Sequence, residues 1–253
     1  MSGRILCALL VLAMSGTAFA QVTQENSDGV FEVSGASKKT SALEFRLGGY
    51  KPLIERESAL GTNPYNATFG NSAMLLFEVE YDRQFFQRYG SLGLGVSAGY
   101  AEKYGAATAL VTDADGNLTP EVAAKNTGFK VAPLRLVGVY RADYAALRWG
   151  IPIVPYVKGG LVYTLWWVTE GAGVEYAEGQ RAAGGKWGFQ GSLGISIMLD
   201  VLEPRLARDF DTDLGVNHSY FFAEYTHAEV NGFGQGGLDL SSRHWMFGLT
   251  LEY

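Results

Sequence analysis

Cysteine is almost missing from the sequence: Cys7 is the single one, and it lies in an apolar N-terminal stretch that reads as a removable export signal. The exported chain is therefore expected to have no disulfide and no thiol chemistry. Histidine is nearly as scarce, with only His218, His227 and His244 to serve as general bases or soft metal ligands. Past the N-terminal stretch, no window approaches the roughly 20 consecutive apolar residues that a membrane-crossing helix needs. Basic residues are outnumbered, 20 against 26 acidic ones, for a formal net charge of −6. Loss of Arg4 with the signal makes the exported chain one unit more acidic still, which argues against nucleic acid as a partner. Prolines number only 7, against 33 glycines and 13% aromatic residues, a composition suited to sheet more than to a helix bundle.

What is present begins with export. Residues 1–20 carry Arg4, an apolar run from Ile5 to Met14, and Ala18-Phe19-Ala20, which match the charged, hydrophobic and cleavage regions of a secretory signal peptide. Residues 21–40 are polar and lack periodicity, so a flexible leader is expected before the folded part at 41–253.

From residue 41 a period of two takes over. At 41–50, Leu43, Phe45 and Leu47 alternate with Glu44 and Arg46, the mark of a strand between two unlike environments. Seven further segments do the same: 73–82, 91–102, 129–140, 153–167, 187–199, 219–228 and 243–253. In the third, the row Gly93, Gly95, Ser97 and Gly99 is small enough to let other side chains fill an interior, and Pro133 in the fourth predicts a bulge or an interrupted ladder. Long polar links at 51–72, 103–128, 168–186 and 229–242 alternate with shorter ones. In the link 200–218, Leu202, Leu206 and Phe210 after an early Pro204 predict one short helix.

Alternation alone fits either a soluble sandwich, whose apolar faces meet, or a membrane barrel, whose apolar face points outward. The even strand count, charges near mid-strand, aromatics near the ends of apolar rows and alternating link lengths favour the barrel. The expected fold is all-β: an eight-stranded antiparallel up-and-down transmembrane β-barrel, with long extracellular loops, short periplasmic turns and one short periplasmic helix. The final strand puts Trp245, Phe247, Leu249, Leu251 and Tyr253 on one face, and this row resembles the C-terminal signal by which the barrel-assembly machinery selects its clients. The stretches Ile151 to Tyr156, Leu199 to Arg205 and Gly215 to Tyr220 resemble a family of outer-membrane β-barrel proteins from myxobacteria and related bacteria, a family of unassigned function whose architecture is similar to OmpA-like and OmpW-like barrels. The resemblance implies fold and outer-membrane location, and it brings no catalytic residues.

The charges on the polar face are the sharpest constellation: Glu44, Arg46, Glu78, Glu80, Arg135, Lys158, Glu224 and Glu252. In an eight-stranded barrel the interior is only wide enough for side chains, so these charges are expected to pair and plug the lumen. A gated narrow pore is the alternative. A lipid A-modifying enzyme would need a hydroxyl, a histidine and a carboxylate in register, yet His218 and Ser219 are adjacent and point to opposite faces of a strand, with Glu224 the nearest carboxylate in sequence. The acidic runs Asp113, Asp115, Asn117 and Asp209, Asp211, Asp213 lack the glycine and glutamate of a calcium loop. Tyr163, Trp166, Trp167 and Phe233 form either an interfacial belt or the mouth for a hydrophobic ligand. The sequence thus predicts a monomeric barrel in the outer membrane, in contact with lipid and, during biogenesis, with the assembly machinery, with no catalytic residues, cofactor or metal and an unknown ligand. A structural or interaction role comes first, transport of small solutes or a hydrophobic molecule second, lipid A modification third.

Overall fold

The computed structural model describes residues 40–54, 64–112, 118–170, 173–174, 176–177, 180–200, 214–235 and 237–253; 64, 67, 107–112, 118–125, 173–174, 176–177 and 180–181 are described by backbone alone. The signal peptide, all but the last residue of the leader, most of the 200–218 helix and both acidic runs fall outside these residues.

Eight long strands follow one another: β1 (Ser41–Tyr50), β2 (Met74–Gln87), β3 (Ser91–Thr112), β4 (Leu118–Arg141), β5 (Ile153–Glu170), β6 (Ala183–Met198), β7 (His218–Glu229) and β8 (Ser242–Glu252). Each pairs antiparallel with its sequence neighbours, and β8 returns to β1 with Phe45 opposite Leu249 and Arg46 opposite Gly248. The sheet is therefore a closed barrel without a free lateral edge. The Tyr253 amide donates to the Ser41 carbonyl at 2.9 Å, and the Tyr253 carbonyl accepts from the Thr40 amide at 2.6 Å, so the seam is hydrogen-bonded to its end. The rim where β1 begins and β8 ends is called the lower rim below, and the opposite one the upper rim. Among the described residues no helix is long and apolar enough to cross a membrane.

The eight strands match the eight periodic segments, and their ends differ where the period fades. The link expected at 103–128 is mostly strand: β3 and β4 run on as a two-stranded ribbon, with Gly105 opposite Thr127 and Thr112 opposite Leu118. Above the closed barrel the ribbon encloses no lumen that would impose alternation, while the backbone ladder still satisfies its own N–H and C=O groups. Pro133 interrupts the β3–β4 ladder between the pairs Ala98–Leu134 and Ala101–Val131 without shifting the register. A bulge sits instead in β2, where Phe85 is the extra residue between the pairs Gln84–Gly93 and Phe86–Leu92.

Two short helices occur elsewhere than expected: α1 (Pro64–Phe69) in the β1–β2 link at the upper rim, and α2 (Tyr144–Trp149) in the β4–β5 link at the lower rim. Neither carries enough residues for a helical period to stand out. α2 stops at Gly150, whose left-handed φ of 67° lets its amide cap the Ala146 carbonyl.

Candidate functional site

Strand side chains alternate between the two faces of the wall, and the register turns the charged residues predicted for the interior to the lumen. Glu44, Arg46, Glu78, Glu80, Arg135, Lys158, Glu224 and Glu252 are all buried there, none more than 5% exposed. The Arg46 guanidinium bonds Glu80 and Glu224 and stands 3.2 Å from Glu78, which also receives Arg135. Glu44 and Glu80 are direct cross-strand neighbours, a repulsive placement, and Lys158 resolves it by reaching both, at 2.6 Å for Glu44. Lys158 also lies 3.8 Å from Glu224. Glu252 accepts from Gln84 at 2.9 Å and from the Tyr220 hydroxyl at 3.0 Å.

Small residues on neighbouring strands make room for these long ones. Glu78, Glu80 and Asp82 stand opposite Gly99, Ser97 and Gly95; Arg46 stands opposite Gly248, and Glu224 opposite Gly194. A Cβ on Gly95 would collide with the Asp82 carboxylate.

Two members were missed in the sequence. Asp82 and Arg141 are buried in the same column, where Arg141 bonds Asp82 and reaches Glu44 at 2.6 Å. Parity carried the signal: Asp82 continues the row of Glu78 and Glu80, and Arg141 continues that of Arg135, but both stand where the apolar alternation had already run out. The carboxylates of Glu44, Glu80 and Asp82 come within 4.8 Å of one another, a geometry that would suit a cation. Lys158 and Arg141 supply that positive charge from the chain itself.

The charged layer is enclosed on both sides by apolar packing. Toward the upper rim, Tyr50, Met74, Leu76, Phe129, Val131, Val162, Val230, Leu240 and Met246 form one buried cluster. α1 inserts Tyr65 into it, edge-on to Phe129 with ring centroids 5.9 Å apart, and burial pushes the Tyr65 phenol up to about 12. Toward the lower rim, Ala146 of α2 packs with Val154, Met198 and Tyr220.

The remaining candidates do not assemble into a catalytic group. His218 and Ser219 both contact Asp200, the His218 Nδ1 at 2.6 Å and the Ser219 hydroxyl at 3.2 Å, so the carboxylate sits between them and the hydroxyl is not handed to the imidazole. Burial would push the Asp200 carboxyl up, but hydrogen bonds from His218 and Ser219 hold it below its ordinary value. Glu224 lies farther along the same strand, in the ion-pair column. Tyr163 packs on Trp187, Trp167 on Tyr100 and Phe233 on Phe189, while Trp166 leans on the upper apolar cluster; the four do not line one mouth. Trp245, Phe247, Leu249 and Tyr253 point outward and are exposed; Leu251, on the same face, is half-buried.

No protein-family model and no curated protein matches the sequence. Among solved structures, the outer-membrane protein OprG from Pseudomonas aeruginosa is 14% identical over 85% of this chain and 96% of its own, with a TM-score of 0.48. The attachment invasion locus protein Ail of Yersinia pestis (12% identical, 85% and 97% covered, TM-score 0.39) and Neisserial surface protein A (11%, 85% and 93%, TM-score 0.40) are similar in the same way. At such identities and scores these likenesses assign neither family nor role to this chain, and the barrel stands on its own strand pairing.

Proposed function

We propose that the protein is an integral outer-membrane β-barrel whose lumen is closed, and that it serves a structural or interaction role in the cell envelope. The observation that carries this reading is an inverted polarity. Charged residues fill the interior, while outward positions such as Leu193, Phe189 and Ile195, exposed by 69%, 54% and 53%, form an apolar belt around the wall. A soluble monomer rarely exposes more than a few hundred Å² of contiguous apolar surface, and only helices and closed barrels leave no unpaired backbone in lipid. On this reading the lower rim faces the periplasm, and the β3–β4 ribbon projects to the outside.

Packing supports closure. Arg46 and Lys158 are 1% exposed and Glu224 is fully buried, which argues against a water-wide path beside them. The apolar clusters above and below add a barrier to ions, whose desolvation there would cost several kcal/mol each. Among the described residues no group combines an accessible nucleophile with a base, so on this reading lipid A incubated with the protein should keep its mass.

The test combines two measurements on protein extracted from outer membranes. An unboiled sample should migrate differently from a boiled one on a gel, and the folded protein should give no stable conductance in planar bilayers. A soluble product without a gel shift would remove the membrane reading. Stable, ion-selective conductance that Arg46→Ala alters would replace the closed lumen with a pore.

A further inference from the structure

A cavity of about 220 Å³ opens at the lower rim, between the β2–β3 turn and α2. Its floor is buried: Ser91 donates to the Asp143 carboxylate, which is 3% exposed. Its lip carries two arginines, Arg88 from the turn and Arg148 from the end of α2, both exposed. Arg88 lies over the Tyr89 ring, 5.5 Å from its centroid, and neither guanidinium has an ion-pair partner among the described residues. On a chain that is acidic overall, two uncommitted guanidiniums at one cavity are a local reversal of charge. The turn is built to hold this shape: Gly90 has φ 142°, and a Cβ there would press on the Arg141 carbonyl at 2.6 Å.

The surroundings say where the cavity sits. Tyr89, Tyr144 and Trp149 form a chain of ring contacts, with centroids 6.5 Å and 5.8 Å apart, and all three are exposed. Such amphipathic aromatics collect at the boundary between hydrocarbon and headgroups. The cavity is thus at headgroup depth, and it is small; sites for drug-sized molecules run to roughly 300–1,000 Å³. It fits a headgroup rather than an oligosaccharide or a cross-linked peptide.

We propose that this cavity seats the headgroup of an inner-leaflet phospholipid, and specifically phosphatidylethanolamine. The phosphodiester meets the guanidinium forks of Arg88 and Arg148, whose planar donors match phosphate oxygens in pairs. The primary ammonium points to the floor, toward Asp143 and Ser91, where a second anion would be repelled and a quaternary ammonium could not donate. The acyl chains run along the apolar outer wall from the lip toward the upper rim. The inference rests on the membrane reading above, because only that reading places the lower rim at a leaflet.

Native mass spectrometry of the detergent-folded full-length protein, offered equal amounts of phosphatidylethanolamine, phosphatidylglycerol and phosphatidylcholine, tests it. A gel shift on the same preparation comes first: its absence would count against the barrel reading and leaves this inference without its leaflet. With the shift present, the phosphatidylethanolamine adduct should exceed the other two several-fold. Arg88→Ala with Arg148→Ala, both exposed positions, should lower it about tenfold with the gel shift retained. Asp143→Asn should bring it down to the phosphatidylglycerol level. Unchanged retention in the arginine double variant, preference for phosphatidylglycerol in the wild type, or displacement of the lipid by a soluble muropeptide would each overturn the assignment.

Discussion

The charged middle of the lumen and the apolar cluster above it occupy the same barrel and are filled by opposite rules. In the middle, each long side chain has specified partners, and for Arg46, Glu78, Glu80, Asp82 and Glu224 a glycine or serine on the neighbouring strand holds the space open. In the upper cluster, Leu240, Met246, Phe129 and their neighbours make contacts without direction, and their packing depends on volume. The difference teaches that the middle fixes one arrangement, since a wrong rotamer strands a buried charge, whereas the upper cluster supplies closure that survives repacking. Buried ion pairs are weak evidence of net stability, but removing one partner is severe.

The comparison breaks most visibly at Arg46. Its guanidinium contacts three carboxylates, Glu78, Glu80 and Glu224, so Arg46→Ala leaves them with only Arg135 and Lys158. A loss of about 3–5 kcal/mol is expected, read as a shift of the urea unfolding midpoint in lipid vesicles. A loss near that of a surface change would mean that the column is hydrated and that its partners are exchangeable. The next effect concerns the space the charges occupy. In Gly95→Ala the new methyl meets the Asp82 carboxylate and comes within 3.1 Å of Val137, and overpacking of this kind costs about 1–3 kcal/mol. A neutral outcome in the same titration would show that Asp82 has slack, contrary to the large-against-small rule.

The same contrast explains how much was legible in the sequence. Period-two alternation exists because the wall has an apolar outer belt on one face and charged or small polar filling on the other, so wherever both conditions hold the strands could be read, as at 41–50 and 243–253. The lumen charges followed from the same parity. Asp82 and Arg141 escaped because the outward row stops being apolar beside them, Asp82 as the last residue of the segment 73–82 and Arg141 just past 129–140; carrying each inward row one more step finds them. The β3–β4 ribbon escaped because its backbone pairing needs no period-two pattern in the sequence. The apolar filling of the upper lumen was not visible at all: Leu76, Val131 and Met246 are inward residues on strands whose outward residues are also apolar, and hydrophobicity by itself does not say which side of a wall a side chain faces. The rim cavity needs α2 beside a turn more than fifty residues away in sequence, which no local pattern encodes.

In the upper cluster, Leu240→Met keeps the volume and the apolar character, so its cost should stay below about 1.5 kcal/mol and the absence of conductance should persist. A larger loss, or a new conductance, would mean that the plug is as specific as the charges beneath it and would dissolve the contrast.

The smallest effect sharpens the contrast from outside, at a hydrogen-bonded carboxylate that water reaches. Asp200 joins His218 and Ser219 at the lower rim, partly exposed rather than enclosed, and its carboxyl is held below its ordinary value by those hydrogen bonds. A group whose folded value is depressed contributes stability that is present above its ordinary value of 3.8 and is lost as pH falls through the folded one. Asp200→Asn should therefore lower the urea midpoint slightly at neutral pH, and the gap to wild type should close below pH 3.8, where the wild-type carboxyl takes up its proton. Solvent screening keeps the gap small, as for exposed pairs generally. If the gap stayed constant across that range, the Asp200 contribution would be one of shape, and the division between a dry, unforgiving interior and a wet, forgiving rim would lose its electrostatic basis.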